Sequence, residues 1–145
     1  MIRKIFDPGN YSNKISITLL VLRITVGIMM LTHGIGKFTM LFGDEPIKFA
    51  DPIGVGVTTS LALTVFAEVV CSLLLIAGLV TRLVVLPLLF TMLVAIFIVH
   101  KNDGFGKQEL PLLYAAIYAV IAIAGAGKYS LDNLVYQKLH TGNNN

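Results

Sequence analysis

Apolar runs of membrane-spanning length, separated by short polar clusters, dominate this sequence. Four can be read: Ile15–Gly36, Val57–Val80, Leu83–Val99 and Leu110–Ala126. None alternates with the period of two that a barrel strand would show. Each approaches the ~20 residues that cross about 30 Å of hydrocarbon at about 1.5 Å per residue. The pattern predicts an all-α protein, an integral membrane four-helix bundle. The connections agree. Residues 37–56 carry Gly43, Pro46, Pro52, Gly54 and Gly56 and form a long loop, whereas Thr81-Arg82 makes a tight corner that forces helices two and three to be antiparallel neighbours. KNDGFGKQE joins helices three and four, with Pro111 in the first turn of helix four, where its missing N–H does no harm. Pro87 falls in the first turns of helix three. Residues 1–145 read as a single membrane domain, with the GNNN ending as a frayed tail.

Composition removes the soluble alternatives. With 56% hydrophobic and 13% charged residues and a mean hydropathy of +0.82, the apolar surface exceeds what a water-soluble domain of this size can bury. The basic residues are dispersed, without an aromatic-interleaved basic face, so the net charge of +3 indicates no nucleic-acid partner. It reads instead as membrane orientation. Arg3, Lys4, Lys14, Arg82, Lys128 and Lys138 lie on the side of the termini, against Lys37, Lys48, Lys101 and Lys107 opposite. That bias predicts cytoplasmic termini and a multi-pass protein of the plasma (inner) membrane. The first run is too long for a cleaved signal peptide, contains Arg23, and is followed by no small-residue cleavage site.

Two charges interrupt the apolar runs. Glu68 stands near the middle of TTSLALTVFAEVVCSLLLIAGLV, and Arg23 near the centre of the first run. An ionisable group at bilayer depth costs roughly 2.5–3.5 kcal/mol on insertion scales, so it turns inward, finds a partner and marks a candidate site. Arg23 is the expected partner of Glu68. At about 100° per residue, Arg23, Gly27, Met30, Gly34 and Lys37 share one face of helix one. Thr64, Glu68, Cys71, Ser72 and Leu75 form the facing polar-to-small surface of helix two. The pair either fixes helix register or lines a polar pocket for a ligand headgroup or a proton; the pattern alone leaves both open.

A second group gathers at the helix ends opposite the termini. His33, Lys37, His100, Lys101 and Glu109 would ring one mouth of the bundle, as interfacial residues or facing a ligand. Two histidines do not establish a bis-histidine haem site, and a structural zinc would need about four ligands, so haem is disfavoured and no metal is expected. Tyr114 and Tyr118, one turn apart, are either interfacial anchors or hydroxyls aimed at Glu68, Glu109 or a ligand carbonyl. Phe38, Phe42 and Phe49 suggest a first loop that lies on the membrane as a lid or docking surface. Cys71 has no partner for a dithiol relay and reads as a packing residue.

Taken in order, these residues resemble the DoxX-like family of small membrane proteins. LRITVGIMMLTHGIGK carries an LR, a glycine four residues after the arginine and a terminal HGxxK, here Leu22, Arg23, Gly27, His33, Gly34 and Lys37. Glu68, Gly78, Thr81, Arg82, Met92, Ala95, His100, Glu109, Tyr114, Gly125, Gly127 and Asp132 continue the likeness through the later helices. Cys71 and Ser72 replace a glycine pair common in relatives, and Gly125-Ala126-Gly127 replaces a GPG. The resemblance implies a four-helix bundle associated with membrane redox systems, including small subunits of quinone-linked oxidases. Two readings follow. In one, the chain is an accessory subunit whose pocket, drawn from Arg23, His33, Lys37, Glu68, His100, Glu109 and Tyr114, receives a quinone headgroup while a redox partner protein supplies the electrons. No dinucleotide fingerprint or thiol pair equips it to be a complete oxidoreductase, and no intrinsic cofactor is expected. In the other, it is a non-catalytic scaffold or assembly factor, alone or as a homo-oligomer, whose buried charges set helix packing.

Overall fold

The computed structural model describes residues 5–141; Arg3, Lys4 and the Gly142–Asn145 tail lie outside them. Four helices are long and apolar enough to cross a membrane: α1 (Asn13–Phe42), α2 (Val57–Ala77), α3 (Thr81–Val99) and α4 (Phe105–Ala124). A short α5 follows (Leu131–Thr141). The four spans make the protein an all-α, multi-pass membrane bundle. Most large apolar side chains on its outer surface are exposed, Val21, Leu73, Phe97 and Ile123 among them, as lipid-facing positions require.

Helix boundaries depart from the pattern in instructive ways. α1 begins earlier and runs six residues past Gly36, so Phe38 and Phe42 belong to its last turns and pack on each other instead of lying in the loop. Arg23 is therefore off-centre, displaced toward the termini. The corner between α2 and α3 is Gly78–Val80 rather than Thr81-Arg82: Gly78 and Val80 are both left-handed, and Thr81 already starts α3. α4 begins at Phe105, which places Pro111 in its second turn. The helix beyond Ala126 was not expected, because LDNLVYQKLHT lacks the length and hydropathy that announced the others.

Both α2 and α3 contain π-helical turns, Phe66–Cys71 and Ala95–Val99. Such turns wind one extra residue into a helix and rotate everything beyond it. Here the first centres on Glu68.

At the end holding the termini, loop backbone and charged side chains interlock. Asp132 reaches across to the start of α3, accepting from the Val80 amide at 2.6 Å and the Thr81 amide at 2.9 Å, while its own amide donates to Gly78 O at 2.8 Å. It thus satisfies orphan donors at a helix N-terminus, where a negative charge is also favoured by the dipole. Arg23 lies beside this clasp, fully buried, with Nη2 donating to Tyr129 O at 2.7 Å and its cation in electrostatic range of Asp132. Gly78 makes room for it, since a Cβ there would run into the guanidinium. Arg82 bonds Asp7 O and Ala122 O, and the Gly127 amide donates to Pro8 O, binding the N-terminal segment to the end of α4.

At the other end, Asp51 clasps the start of α2. Its carboxylate accepts from the Ser60 hydroxyl at 2.6 Å and from the Gly56 and Val55 amides at 2.8 and 3.0 Å. The Ser60 bond above all, with the amides, holds the Asp51 carboxyl below the ordinary carboxylate range. A depressed native pKa contributes stability above the unfolded value that is lost as pH falls through the native one. We expect exchange of the Val55 and Gly56 amides, corrected for intrinsic rate, to rise over that acid window in the wild type and to be raised throughout in Asp51→Ala. Asp132→Ala strips the α3 terminus of its acceptor and Arg23 of its countercharge. Thermal or denaturant unfolding in detergent should show a loss of about 3 kcal/mol, the scale for breaking a buried charged contact.

Candidate functional site

The site is built where a glycine of α1 lets α2 approach closely. Gly34 faces Glu68: a Cβ on it would stand 2.8 Å from the Val69 side chain and 3.0 Å from the Glu68 Cβ, so only glycine permits this spacing. One turn further along α1, Lys37 then reaches Glu68, and Nζ donates to Oε2 at 2.6 Å. The carboxylate is nearly enclosed, its side chain 4% exposed, whereas that of Lys37 is 29% exposed at the mouth. The expected Arg23–Glu68 pair does not form. Eleven residues of α1 separate the levels of Arg23 and Gly34, about 16 Å along the axis, and Arg23 turns instead to Tyr129 and Asp132. Helical phase placed Arg23 and Lys37 correctly on one face; it carried no information on which cation stands at the height of Glu68.

Around this ion pair lies a cavity of about 390 Å³ lined by Met30, His33, Lys37, Glu68, Met92, Ala95, His100, Gly106, Lys107, Leu110, Pro111 and Tyr114. Five of the seven expected site residues therefore converge: His33, Lys37, Glu68, His100 and Tyr114. Arg23 belongs to the clasp at the opposite end, and Glu109 points outward from α4, exposed and away from the cavity. His33 sets its ring edge against Tyr114, centroids 6.0 Å apart. His100 is anchored by Asp103, Nδ1 to Oδ2 at 2.8 Å, and Lys107 approaches the same carboxylate at 3.7 Å. His100 and then Lys107 hold the Asp103 carboxyl below its usual range. Tyr114 and Tyr118 are not interfacial anchors: they are 4% and 0% exposed, stacked 6.0 Å apart within the core, and neither hydroxyl has a protein partner.

Met30, Met92 and Ala95 complete the apolar walls, and sequence reasoning had not assigned them to the site. The available signal was modest. Met30 shares the α1 face of Gly27 and Gly34, and Ala95 opens the second π-helical turn, which His100 closes by donating its amide to Ala95 O at 2.8 Å. Cys71 packs in the core, 1% exposed. No cluster able to hold a metal ion occurs among the described residues. A second hollow, between α2 and α3, is apolar and faces lipid, and the Ser60, Thr64 and Thr91 hydroxyls beside it are engaged with Asp51, Ser60 O and Pro87 O. It offers a ligand no free polar handle.

These features define a small four-helix membrane protein with a mainly apolar cavity, set with a few polar groups, opening away from the termini. The DoxX family model matches residues 18–101, more than half of the chain, and the protein belongs to that family. Among similar proteins, an uncharacterized protein of Haemophilus influenzae is 34% identical over 124 residues, 81% of this chain and 90% of that one. The inner membrane protein YqjF of Escherichia coli is 32% identical over 124 residues, covering 82% and 92%. CatD of Bacillus subtilis, whose name gives it provisionally as an oxidoreductase, is 30% identical over 126 residues, covering 86% and 91%. No solved structure matches.

Double-mutant cycles test the pairing. Lys37→Leu and Glu68→Leu should couple by about 1–3 kcal/mol in unfolding free energy, whereas Arg23→Leu and Glu68→Leu should add to within about 0.5 kcal/mol. Strong coupling in the second cycle would refute the pairing described.

Proposed function

We propose that the protein is an inner-membrane accessory subunit of a quinone-linked redox system, and that the Glu68 cavity receives a quinone headgroup. One observation carries the reading: Tyr114, whose buried hydroxyl has no protein partner, lines a cavity that also holds a carboxylate–ammonium pair and two imidazoles. A buried hydroxyl left unpaired is costly, and the carbonyl oxygen of a bound headgroup would supply the acceptor it lacks. The cavity volume falls in the range of small-molecule sites, about 300–1,000 Å³, with mainly apolar walls and a few convergent polar groups. Reduction of a quinone to a quinol takes up protons together with electrons. In this reading Lys37, Glu68 and the histidines hold or move protons at the ring oxygens, while a redox partner protein supplies the electrons. The oxidoreductase designation of CatD and the inner-membrane location in the name of YqjF support this assignment. The excess of basic residues on the side of the termini supports cytoplasmic termini. A scaffold whose charges only set packing explains the Asp132–Arg23 clasp but gives no reason to bury Tyr114 with its hydroxyl unpaired beside a cavity.

Titration of a short-chain quinone against the protein in nanodiscs checks the assignment. Tyr114→Phe removes an unpaired hydroxyl, so the fold should be as stable as the wild type or more so. Quinone affinity should fall about three- to tenfold, the worth of one hydrogen bond. Unchanged affinity in a folded Tyr114→Phe protein would sink the reading.

A further inference from the structure

Below the cavity, polar atoms without protein partners continue through the bundle: the Tyr118 hydroxyl, the Ser72 hydroxyl, Nε and Nη1 of Arg23, and the Ser16 hydroxyl. All four residues are 0% exposed. They are ordered along the axis by the register of the helices. Gly34 stands opposite Glu68, Gly27 opposite Ser72 and Ile76, and Gly78 against Arg23. On α4, Tyr118 lies one turn from Tyr114 toward the termini and is within electrostatic range of both Tyr114 and Glu68. Ser16 follows Arg23 on the buried face of α1, two turns nearer the termini, against Gly127. Isolated orphan hydroxyls are rare in folded proteins, and lipid offers them nothing. A row of them, each able to donate and accept, is what internal water bridges.

We propose that the part of this row from Tyr118 to Arg23 is a hydrated file leading from the cavity floor at Glu68, and that the Arg23 cation closes it short of Ser16, so that protons exchange with the cavity but do not cross the membrane. The hydroxyls of Tyr118 and Ser72, linked by water, pass a proton by donating one and accepting the next. A guanidinium has donors only and keeps its charge, so it relays nothing and repels an excess proton, as an arginine does in a water-selective pore. The role fits its location. Arg23 stands between the file and the clasp at the termini end, with Nε and Nη1 left to face water. Nothing in the inference depends on what occupies the cavity.

Two experiments test it, both without added quinone. The first is X-ray radiolytic hydroxyl labelling of the wild-type protein in nanodiscs, with yields normalised to intrinsic reactivity. Tyr118 should be modified well above equally buried Leu75 and Leu88, because water touches it; a Tyr118 as inert as those leucines overturns the file, whatever any variant does. The second follows acidification of proteoliposomes through an entrapped pH dye. Wild-type protein should be proton-tight, Arg23→Gln should speed proton entry about tenfold, equivalent to about 1.4 kcal/mol of barrier, and Tyr118→Phe added to Arg23→Gln should slow it again. A folded Arg23→Gln protein as tight as the wild type overturns the barrier. Should Arg23→Gln fail to assemble, the labelling result decides the file by itself, and Ser72→Ala, which removes a relay group, should lower Tyr118 labelling. Failure to bind quinone would leave these outcomes untouched, and a dry Tyr118 would leave the quinone assignment standing.

Discussion

A charge taken into hydrocarbon has to be answered by the same chain, and the buried Glu68 and Arg23 are answered in different ways. Glu68 is met by a single flexible lysine that stays partly at the mouth, with Nζ 2.6 Å from Oε2. Arg23 is met by backbone and a carboxylate at some remove, within a clasp assembled from the Gly78 corner, Tyr129 and Asp132. The first arrangement leaves a charged pair beside open volume. The second locks three chain segments together. One end of the molecule is thus built to stay closed and the other to admit something.

Period and length made the four spans readable, because lipid demands both and the apolar runs supply them. The same rules could not show α5 or the clasp, since Asp132 acts on amides some fifty residues away in the chain and its role exists only once α4 has returned to the α2–α3 corner. The site was half legible. Helical phase put Lys37 and Arg23 on one face, and the polar residues at the helix ends pointed to a mouth, but phase says nothing of height. Choosing Arg23 over Lys37 as the partner of Glu68 rested on a first helix ending near Gly36, and the continuation to Phe42 moved the centre of α1 away from Arg23. Tyr114 and Tyr118 were equally ambiguous, because a tyrosine near a helix end suits an interface as well as a core, and only packing against α1 and α3 decides.

The family assignment and the cavity constrain each other. The four spans establish the bundle and the family match its kinship, while the relatives' names reach only as far as membrane location and one provisional oxidoreductase. The proposed redox role draws instead on this chain's own chemistry: proton-bearing groups gathered beside a buried hydroxyl that has no protein partner.

The π-helical turn at Phe66–Cys71 explains how Glu68 can serve the cavity without disturbing the core beneath it. In an uninterrupted α-helix, Glu68 and Ser72 would lie one above the other, and a carboxylate turned to α1 would fix the direction of everything below. Winding in one extra residue slips the phase by about 100°, so the placement of Glu68 against Gly34 and Lys37 is uncoupled from that of Cys71, Ser72 and Leu75, all buried in the two turns that follow. The widened turn has poorer backbone geometry than a regular helix, and the site is where that cost is recovered. A second π-helical turn at Ala95–Val99 does the same for the opposite wall, ending at His100. Both irregularities of the transmembrane helices thus border one cavity, which is the strongest purely geometric reason to regard that cavity as the working part of the molecule.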